Sequence, residues 1–199
     1  MSDKSYLSVY AKSFSWAGFF LPRETLKKCS VLYDFCRVAD NIADDKDEIE
    51  VKEKKFAEFE NDFNQKKFDN LIIKNMWGIM EEFNISIKIV QDLLAGIKSD
   101  IKERVELNSK KDLLIYSYRV AGTVGLMMAK ILNVTKKNSL KSAIDLGIAM
   151  QLTNISRDVL EDSKNNRFYI EENFEKISST INLANRYYQD SFYAIKSIP

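Results

Sequence analysis

Gln151-Leu152-Thr153-Asn154-Ile155-Ser156-Arg157-Asp158-Val159-Leu160-Glu161-Asp162 carries apolar side chains at 152, 155 and 159, and Ile148 precedes them by one turn. That spacing is α-helical and lines the four up on one stripe. Gln151, Asn154, Asp158 and Asp162 form a second stripe only about 100° away. A polar stripe that borders the apolar one, instead of standing opposite it, suits a cavity wall. The same period runs outward through most of the chain and predicts helices over 5–19, 22–45, 48–66, 70–82, 86–106, 110–132, 138–163 and 171–197. Pro22 suits a first helical turn, Ser109 with Asp112 fits a capping box, and Ser86 precedes another apolar-periodic run.

Composition agrees with helices. Six Gly and two Pro in 199 residues are about a third of average usage, and sheet proteins need turn residues at close intervals. The expectation is an all-α, single-domain chain, since its length corresponds to about one domain. With 30 Lys+Arg against 29 Asp+Glu, nothing draws it toward nucleic acid. The absence of histidine excludes imidazole as base or metal ligand, and with it Ser-His and Cys-His catalysis. Cys29 and Cys36 lie two helical turns apart, about 10 Å, beyond bridging distance, so free thiols and a reducing compartment are expected. No apolar run approaches the ~20 residues that span a bilayer. A cytoplasmic protein is expected, with peripheral contact at a membrane surface left open; oligomeric state is beyond the sequence.

A second helix face repeats the polar theme. In Tyr33-Asp34-Phe35-Cys36-Arg37-Val38-Ala39-Asp40-Asn41-Ile42-Ala43-Asp44, the residues Tyr33, Arg37, Asp40 and Asp44 fall within about 60° of one another. Either aspartate pair alone reads as a hydrophilic helix face, because like charges at i,i+4 cost only a few tenths of a kcal/mol. Two such pairs, each beside a buried stripe and near an arginine, offer hard oxygen ligands suited to Mg²⁺ held together with substrate phosphates.

Two further segments stand out. Tyr116-Ser117-Tyr118-Arg119-Val120-Ala121-Gly122-Thr123-Val124-Gly125 places two glycines and an alanine inside a predicted helix, weakening it by roughly 1 kcal/mol per Gly. Something approaches that backbone closely, either a neighbouring helix or a long apolar substrate. Tyr10-Ala11-Lys12-Ser13-Phe14-Ser15-Trp16 joins a cation and hydroxyls to aromatic rings.

Taken in their order along the chain, the four segments resemble the squalene/phytoene synthase family of head-to-head prenyl transferases, from about Tyr6 to the end of the chain. The resemblance implies an isoprenoid-synthase-type helical bundle with a central prenyl cavity. It assigns Asp40, Asp44, Asn154, Asp158 and Asp162 to Mg²⁺ and through it to diphosphate, and Tyr116 to the vicinity of diphosphate. Val120, Ala121, Val124 and Gly125 are placed along the prenyl pocket. Lys12, Ser13, Tyr33, Arg37, Gln151, Arg157 and Arg167 fall at positions resembling substrate contacts, with Tyr33, Arg37 and the four aspartates in the catalytic group. Leu94-Ala95-Gly96-Ile97-Lys98-Ser99-Asp100 and Gly125-Leu126-Met127-Met128 look most like the phytoene synthase branch.

The implied activity is Mg²⁺-dependent condensation of two geranylgeranyl diphosphates to phytoene, a step of carotenoid biosynthesis. One alternative is squalene or dehydrosqualene synthesis from farnesyl diphosphate; another is a non-catalytic relative serving as a binding or assembly partner. There are departures. Tyr10-Ala11-Lys12-Ser13-Phe14 stands where the family commonly reads His-Ser-Lys-Ser-Phe, and Asn41 replaces a frequent second aspartate. The chain ends at Pro199 in a helix resembling the family's Tyr-Tyr region. It is therefore expected to lack the family's C-terminal helices, to bind Mg²⁺-diphosphate, and to condense poorly through a cavity open on one side.

Overall fold

The computed structural model describes residues 21–195, with side chains as far as Phe192. The expected helix over 5–19, and with it Lys12 and Ser13, lies outside the described residues. The chain divides into two compact units, one up to Ile87 and the other from Lys88.

In the first unit, α1 (Arg23–Asp44) packs against α2 (Ile49–Asn64) and α3 (Leu71–Glu82). Pro22 sits just ahead of α1 with φ −55°, where its missing N–H costs no helical bond. The apolar stripe of α1 is Leu32, Phe35 and Ala39, all fully buried. Phe35 meets the rings of Phe59 and Phe63 at 5.4 and 5.5 Å, and Phe63 stacks on Trp77 at 5.3 Å. The Trp77 indole N–H donates to the Phe63 carbonyl oxygen at 3.0 Å, so this aromatic core has its polar atom satisfied. Asn70 caps α3, its Oδ1 accepting from the Ile72 backbone N–H at 3.0 Å.

In the second unit, α7 (Lys137–Arg157) is the central rod, with α9 (Phe174–Ile195) along one side. Against it also lie α5 (Lys110–Ser117), a single π turn (Tyr118–Gly122) and α6 (Thr123–Ile131), which together form one continuous helical path. The remaining elements are α4 (Ile87–Lys98), the short α8 (Val159–Lys164), and two two-residue strands, β1 (Val105–Glu106) and β2 (Arg167–Phe168). These strands pair in parallel, Val105 with Arg167 and Glu106 with Phe168. The core gathers Val105, Leu113, Tyr116, Ile148, Leu152, Ile155, Tyr169 and Ala184.

The glycines are explained by helix contact. A Cβ on Gly125 would lie 2.2 Å from the Ala143 carbonyl oxygen, and one on Gly147 2.3 Å from that of Ala121. Two backbones thus cross with glycine on each side, each beneath the other's carbonyl. Gly96 likewise admits Arg119 and Val120, whose side-chain atoms would stand 2.7 and 2.9 Å from an added Cβ. The π turn between these contacts adds a residue to the helical path. Its mark is the Thr123 N–H bonded to the Tyr118 carbonyl oxygen, and the Thr123 hydroxyl donates to the Arg119 carbonyl oxygen at 2.7 Å.

Several expected boundaries are corrected. The helix expected over 86–106 ends at Lys98, and its tail instead forms β1. Val105 is buried, but by pairing with a strand more than sixty residues later, which a local period does not register. The helix expected over 138–163 divides at Asp158, which adopts φ −101°, ψ 11°. The helix expected from 171 begins at Phe174, after β2 and a turn. Three helical connections carry an asparagine with positive φ, Asn84, Asn133 and Asn166. Asparagine tolerates the left-handed region, and its use there helps explain how so few glycines suffice.

Candidate active site

Each unit holds one of the aspartate segments. On α1, Tyr33, Arg37 and Asp40 are half-buried and Asp44, the helix's last residue, is exposed. The unbroken helix confirms their placement on one face. Asp40 and Asp44 occupy the end of the helix where the macrodipole is negative, an arrangement costing roughly 0.3–1 kcal/mol per exposed carboxylate. The last turn of α1 contains no basic residue; Lys52 of α2 reaches the Ala43 carbonyl oxygen at 3.4 Å. Burial and then the charge of Asp40 push the Cys36 thiol up, out of the nucleophilic range. Cys29 and Cys36 are both free thiols.

The second segment straddles the bend between α7 and α8. The backbone N–H of Asp158 still bonds the Asn154 carbonyl oxygen (2.9 Å), and that of Asp162 bonds the Asp158 carbonyl oxygen (2.8 Å), so the i,i+4 ladder survives the bend. Asn154 is exposed; Gln151, Asp158 and Asp162 are half-buried. Arg157 pairs with its neighbour Asp158 through two bonds, Nε to Oδ1 at 2.7 Å and a terminal nitrogen to Oδ2 at 2.6 Å. This bidentate pair holds the Asp158 carboxyl below the usual range. Arg157 is two-thirds exposed, and such surface pairs contribute at most about 1 kcal/mol, so a stronger ligand can open it.

Asp162 is in the opposite situation. Burial, then the neighbouring Asp158, push its carboxyl up to about 6, with Arg167 opposing and Glu161 and Asp100 adding to the rise. Asp162 and Arg167 share a small cleft with Ile155, Val159 and Tyr169. Arg167 reaches it because β2 is anchored to β1, with Val105 N–H on the Asn166 carbonyl oxygen (2.9 Å) and Leu107 N–H on that of Phe168 (3.2 Å). The Arg104 guanidinium lies 4.0 Å over the Phe168 ring and closes the outside of this pair.

Behind the cleft stands a cluster that the sequence did not mark. Tyr116 and Tyr169 stack at 4.7 Å. The Tyr116 hydroxyl lies 2.7 Å from Asp100 Oδ2, the Tyr169 hydroxyl 3.0 Å from Asp100 Oδ1, and the two hydroxyls are 3.0 Å apart. Tyr116 was expected near diphosphate; its hydroxyl is engaged with Asp100. Tyr169 had one available signal, its place two residues after Arg167. Asp100 closed the Leu94–Asp100 segment without a role. Val120, Ala121 and Val124 are half-buried along the π turn and the start of α6, while Gly125 is committed to the crossing with α7.

The donor set fits a hard cation. Among the described residues no three Asp, Glu or Cys side chains form a ready-made cage, but Mg²⁺ is ordinarily held by one or two carboxylates with water and substrate phosphates completing the shell. Asp158 and Asp162, stacked a turn apart with Asn154 before them, present only oxygen and a carboxyl disfavoured as an anion in the absence of a cation. No helix among the described residues is long and apolar enough to cross a membrane.

Residues 7–174 match the model of the squalene/phytoene synthase family. The chain is 31% identical over 176 residues to 15-cis-phytoene synthase of Pantoea ananas, an alignment covering 82% of this chain and 57% of that protein. It is 30% identical over 171 residues to the chloroplastic phytoene synthase 1 of Solanum lycopersicum, covering 81% and 41%. The chain thus spans about half the length of these relatives. A crystal structure of a dehydrosqualene synthase in complex with a ligand superposes with a TM-score of 0.78 at 27% identity, over 97% of this chain and 75% of that one. A squalene synthase from Alicyclobacillus acidocaldarius shares the fold at a TM-score of 0.81 and 15% identity, over 96% and 81%. With its all-helical frame, its two aspartate segments and a family match over most of its length, the chain belongs to the squalene/phytoene synthase family.

Proposed function

We propose that the chain is a Mg²⁺-dependent prenyltransferase that joins two geranylgeranyl diphosphates head to head into phytoene. The observation that carries the reading is the pair of aspartate segments, each with carboxylates stacked a helical turn apart, in a chain whose matched relatives are phytoene synthases. In this reading Asp40, Asp44, Asn154, Asp158 and Asp162 hold the metal. When bound, Mg²⁺ neutralises charge on the diphosphate and so makes it a better leaving group.

The chain's own residues do the rest. Arg37, Arg157 and Arg167, with Lys12 and Ser13, supply charge-assisted hydrogen bonds to diphosphate oxygens. Arg157 would do so by leaving Asp158, whose carboxylate would then be available to hold the metal. Gln151 and Tyr33 orient the same group. Departure of one diphosphate leaves an allylic cation, and the double bond of the second substrate attacks it to give a cyclopropyl diphosphate, prephytoene diphosphate, with loss of a proton. The second diphosphate then leaves, and rearrangement with loss of another proton gives phytoene. Val120, Ala121 and Val124 keep water from the cation, and the released diphosphate accepts the proton, so a chain without histidine needs no separate base.

A second reading, farnesyl diphosphate giving squalene or dehydrosqualene, is favoured by the structural likeness to a dehydrosqualene synthase. Competing labelled farnesyl and geranylgeranyl diphosphates with Mg²⁺ present, followed by product identification, separates the two. A C40 product supports the proposal; a C30 product replaces it with the alternative. Absence of any Mg²⁺-dependent diphosphate release rejects both, in favour of a non-catalytic binding role.

A further inference from the structure

A second cavity of the α7 unit lies apart from both aspartate segments. It encloses about 270 Å³ between the loop after β1, the start of α5, the segment after β2 and the first turns of α9. That is close to the lower end of the roughly 300–1,000 Å³ found for small-molecule pockets. The floor is apolar. Leu113 and Tyr169 are buried there, while Leu107, Ile170 and Leu183 stay half-buried, packed on the unit's core and open toward the groove.

The rim is polar, and its hydroxyl protons are already spent. Ser179 and Thr180 donate to the Lys176 carbonyl oxygen at 2.9 and 2.8 Å, and Ser109 donates to the Asp112 carboxylate at 2.6 Å. A hydroxyl has one proton to give, so none of the three donates to a guest. The charged lining residues are Lys110, Lys176 and Glu171. Glu171 is engaged twice, by the Lys176 ammonium at 3.6 Å and by the Asn173 amide at 2.9 Å. The Lys110 ammonium has no hydrogen bond or ion pair among the described residues. An apolar floor thus meets a rim with one uncompensated positive charge.

We propose that this groove binds a short anionic amphiphile, its carboxylate or phosphate head on Lys110 and its apolar body along Leu113, Ile170 and Leu183. Charge complementarity selects the head, and the open leucines and isoleucine select the body. The volume suits a chain of about ten carbons, not the longer chain of the substrate proposed above. The inference does not depend on the prenyltransferase reading. Tyr169 and Ile170 line this groove and the Asp162–Arg167 cleft alike, so the two cavities share a wall.

Isothermal titration with sodium decanoate, below the concentration at which it forms micelles, provides the test, with decyl phosphate, decanol and inorganic phosphate as parallel arms. Both amphiphiles are expected to saturate one site per chain, and the tighter of them identifies the head. Decanol lacks the charge and phosphate lacks the tail, so each is expected to bind at least about tenfold more weakly. Lys110→Glu is expected to weaken decanoate by about tenfold or more, and Lys110→Arg to keep it within about threefold. Lys111→Glu changes a neighbouring lysine outside the groove and is expected to leave binding unaltered. Equal weakening by Lys110→Glu and Lys111→Glu, unchanged binding in Lys110→Glu, or no saturable binding of either amphiphile overturns the proposal.

Methyl NMR locates the guest. Leu107, Leu113 and Leu183 line the groove and not the cleft, so their signals are expected to shift with decanoate, while the exposed Ile115 and Leu160 stay in place. Shifts centred on Ile115 or Leu160 contradict the site. Inorganic diphosphate with Mg²⁺ is expected not to displace decanoate; displacement would put the guest in the aspartate cleft and overturn the proposal. Asp158→Ala is expected to bind decanoate as the wild type does, so failure of the reaction reading and failure of this site are told apart.

Discussion

Asp40 and Asp44 ride on one unbroken helix, whereas Asp158 sits at the bend between two helices and Asp162 lies on the second of them. The spacing of the first pair follows from local geometry: the hydrogen bonds of α1 set it, and burial of Leu32, Phe35 and Ala39 fixes which face the two residues occupy. The second pair is assembled from afar. Asp162 shares its cleft with Arg167 and Tyr169, which come from β2, and that strand is held by β1. A helical period therefore reveals which residues share a face, but not which distant residues that face meets.

The comparison can be broken most severely at the carboxylates. Asp40→Ala and Asp158→Ala are each expected to slow Mg²⁺-dependent diphosphate release by about a thousandfold, roughly 4 kcal/mol in barrier, with far-ultraviolet circular dichroism unchanged. Steady-state kinetics at saturating Mg²⁺ reads this. Wild-type turnover in either variant removes that residue from the site. Equal losses in both mean that the local and the assembled segments contribute alike.

Next comes the helix crossing on which the second segment hangs. Gly147→Ala places a methyl group 2.3 Å from the Ala121 carbonyl oxygen, and overpacking of this kind costs about 1–3 kcal/mol. Thermal unfolding should drop by about 3–10 °C for a chain of this size. A Tm unchanged from wild type would mean that the two backbones are not in contact at that point.

The smallest effect concerns a feature read from local sequence alone. Ser109 caps α5, its Oγ accepting from the Asp112 N–H at 3.1 Å and donating to the Asp112 carboxylate at 2.6 Å. Ser109→Ala should cost about 1 kcal/mol in chemical denaturation and leave kcat unaltered. A larger loss of activity than of stability would show that the start of α5 is coupled to Tyr116 more tightly than its cap alone requires.

What was legible follows the same division. The course of α1, the cap at Ser109 and the continuous path from 110 to 131 were written in spacings of three, four and seven residues, and so were the faces bearing Tyr33, Arg37, Asp40 and Asp44. The π turn was not, because one added residue changes the hydrogen-bond ladder without disturbing the apolar stripe enough to be seen. Nor was the pairing of Val105 with Arg167, since a two-residue strand has no period. The glycines of Val120–Gly125 were legible as a demand for close approach, and the structure identifies α7 as one neighbour that meets it. Asp100 and Tyr169 escaped because their meaning is a contact across 69 positions, and no local pattern encodes it.

The central claim is that these carboxylates bind a prenyl diphosphate through Mg²⁺ and drive its ionisation. Release of diphosphate from labelled geranylgeranyl diphosphate, followed with Mg²⁺ and again after chelation, tests it most directly. The account predicts release that is abolished by chelation, restored by added Mg²⁺, and slowed about a thousandfold in Asp40→Ala and Asp158→Ala with Mg²⁺ present. Release that persists under chelation, or that survives loss of both aspartates, would contradict it.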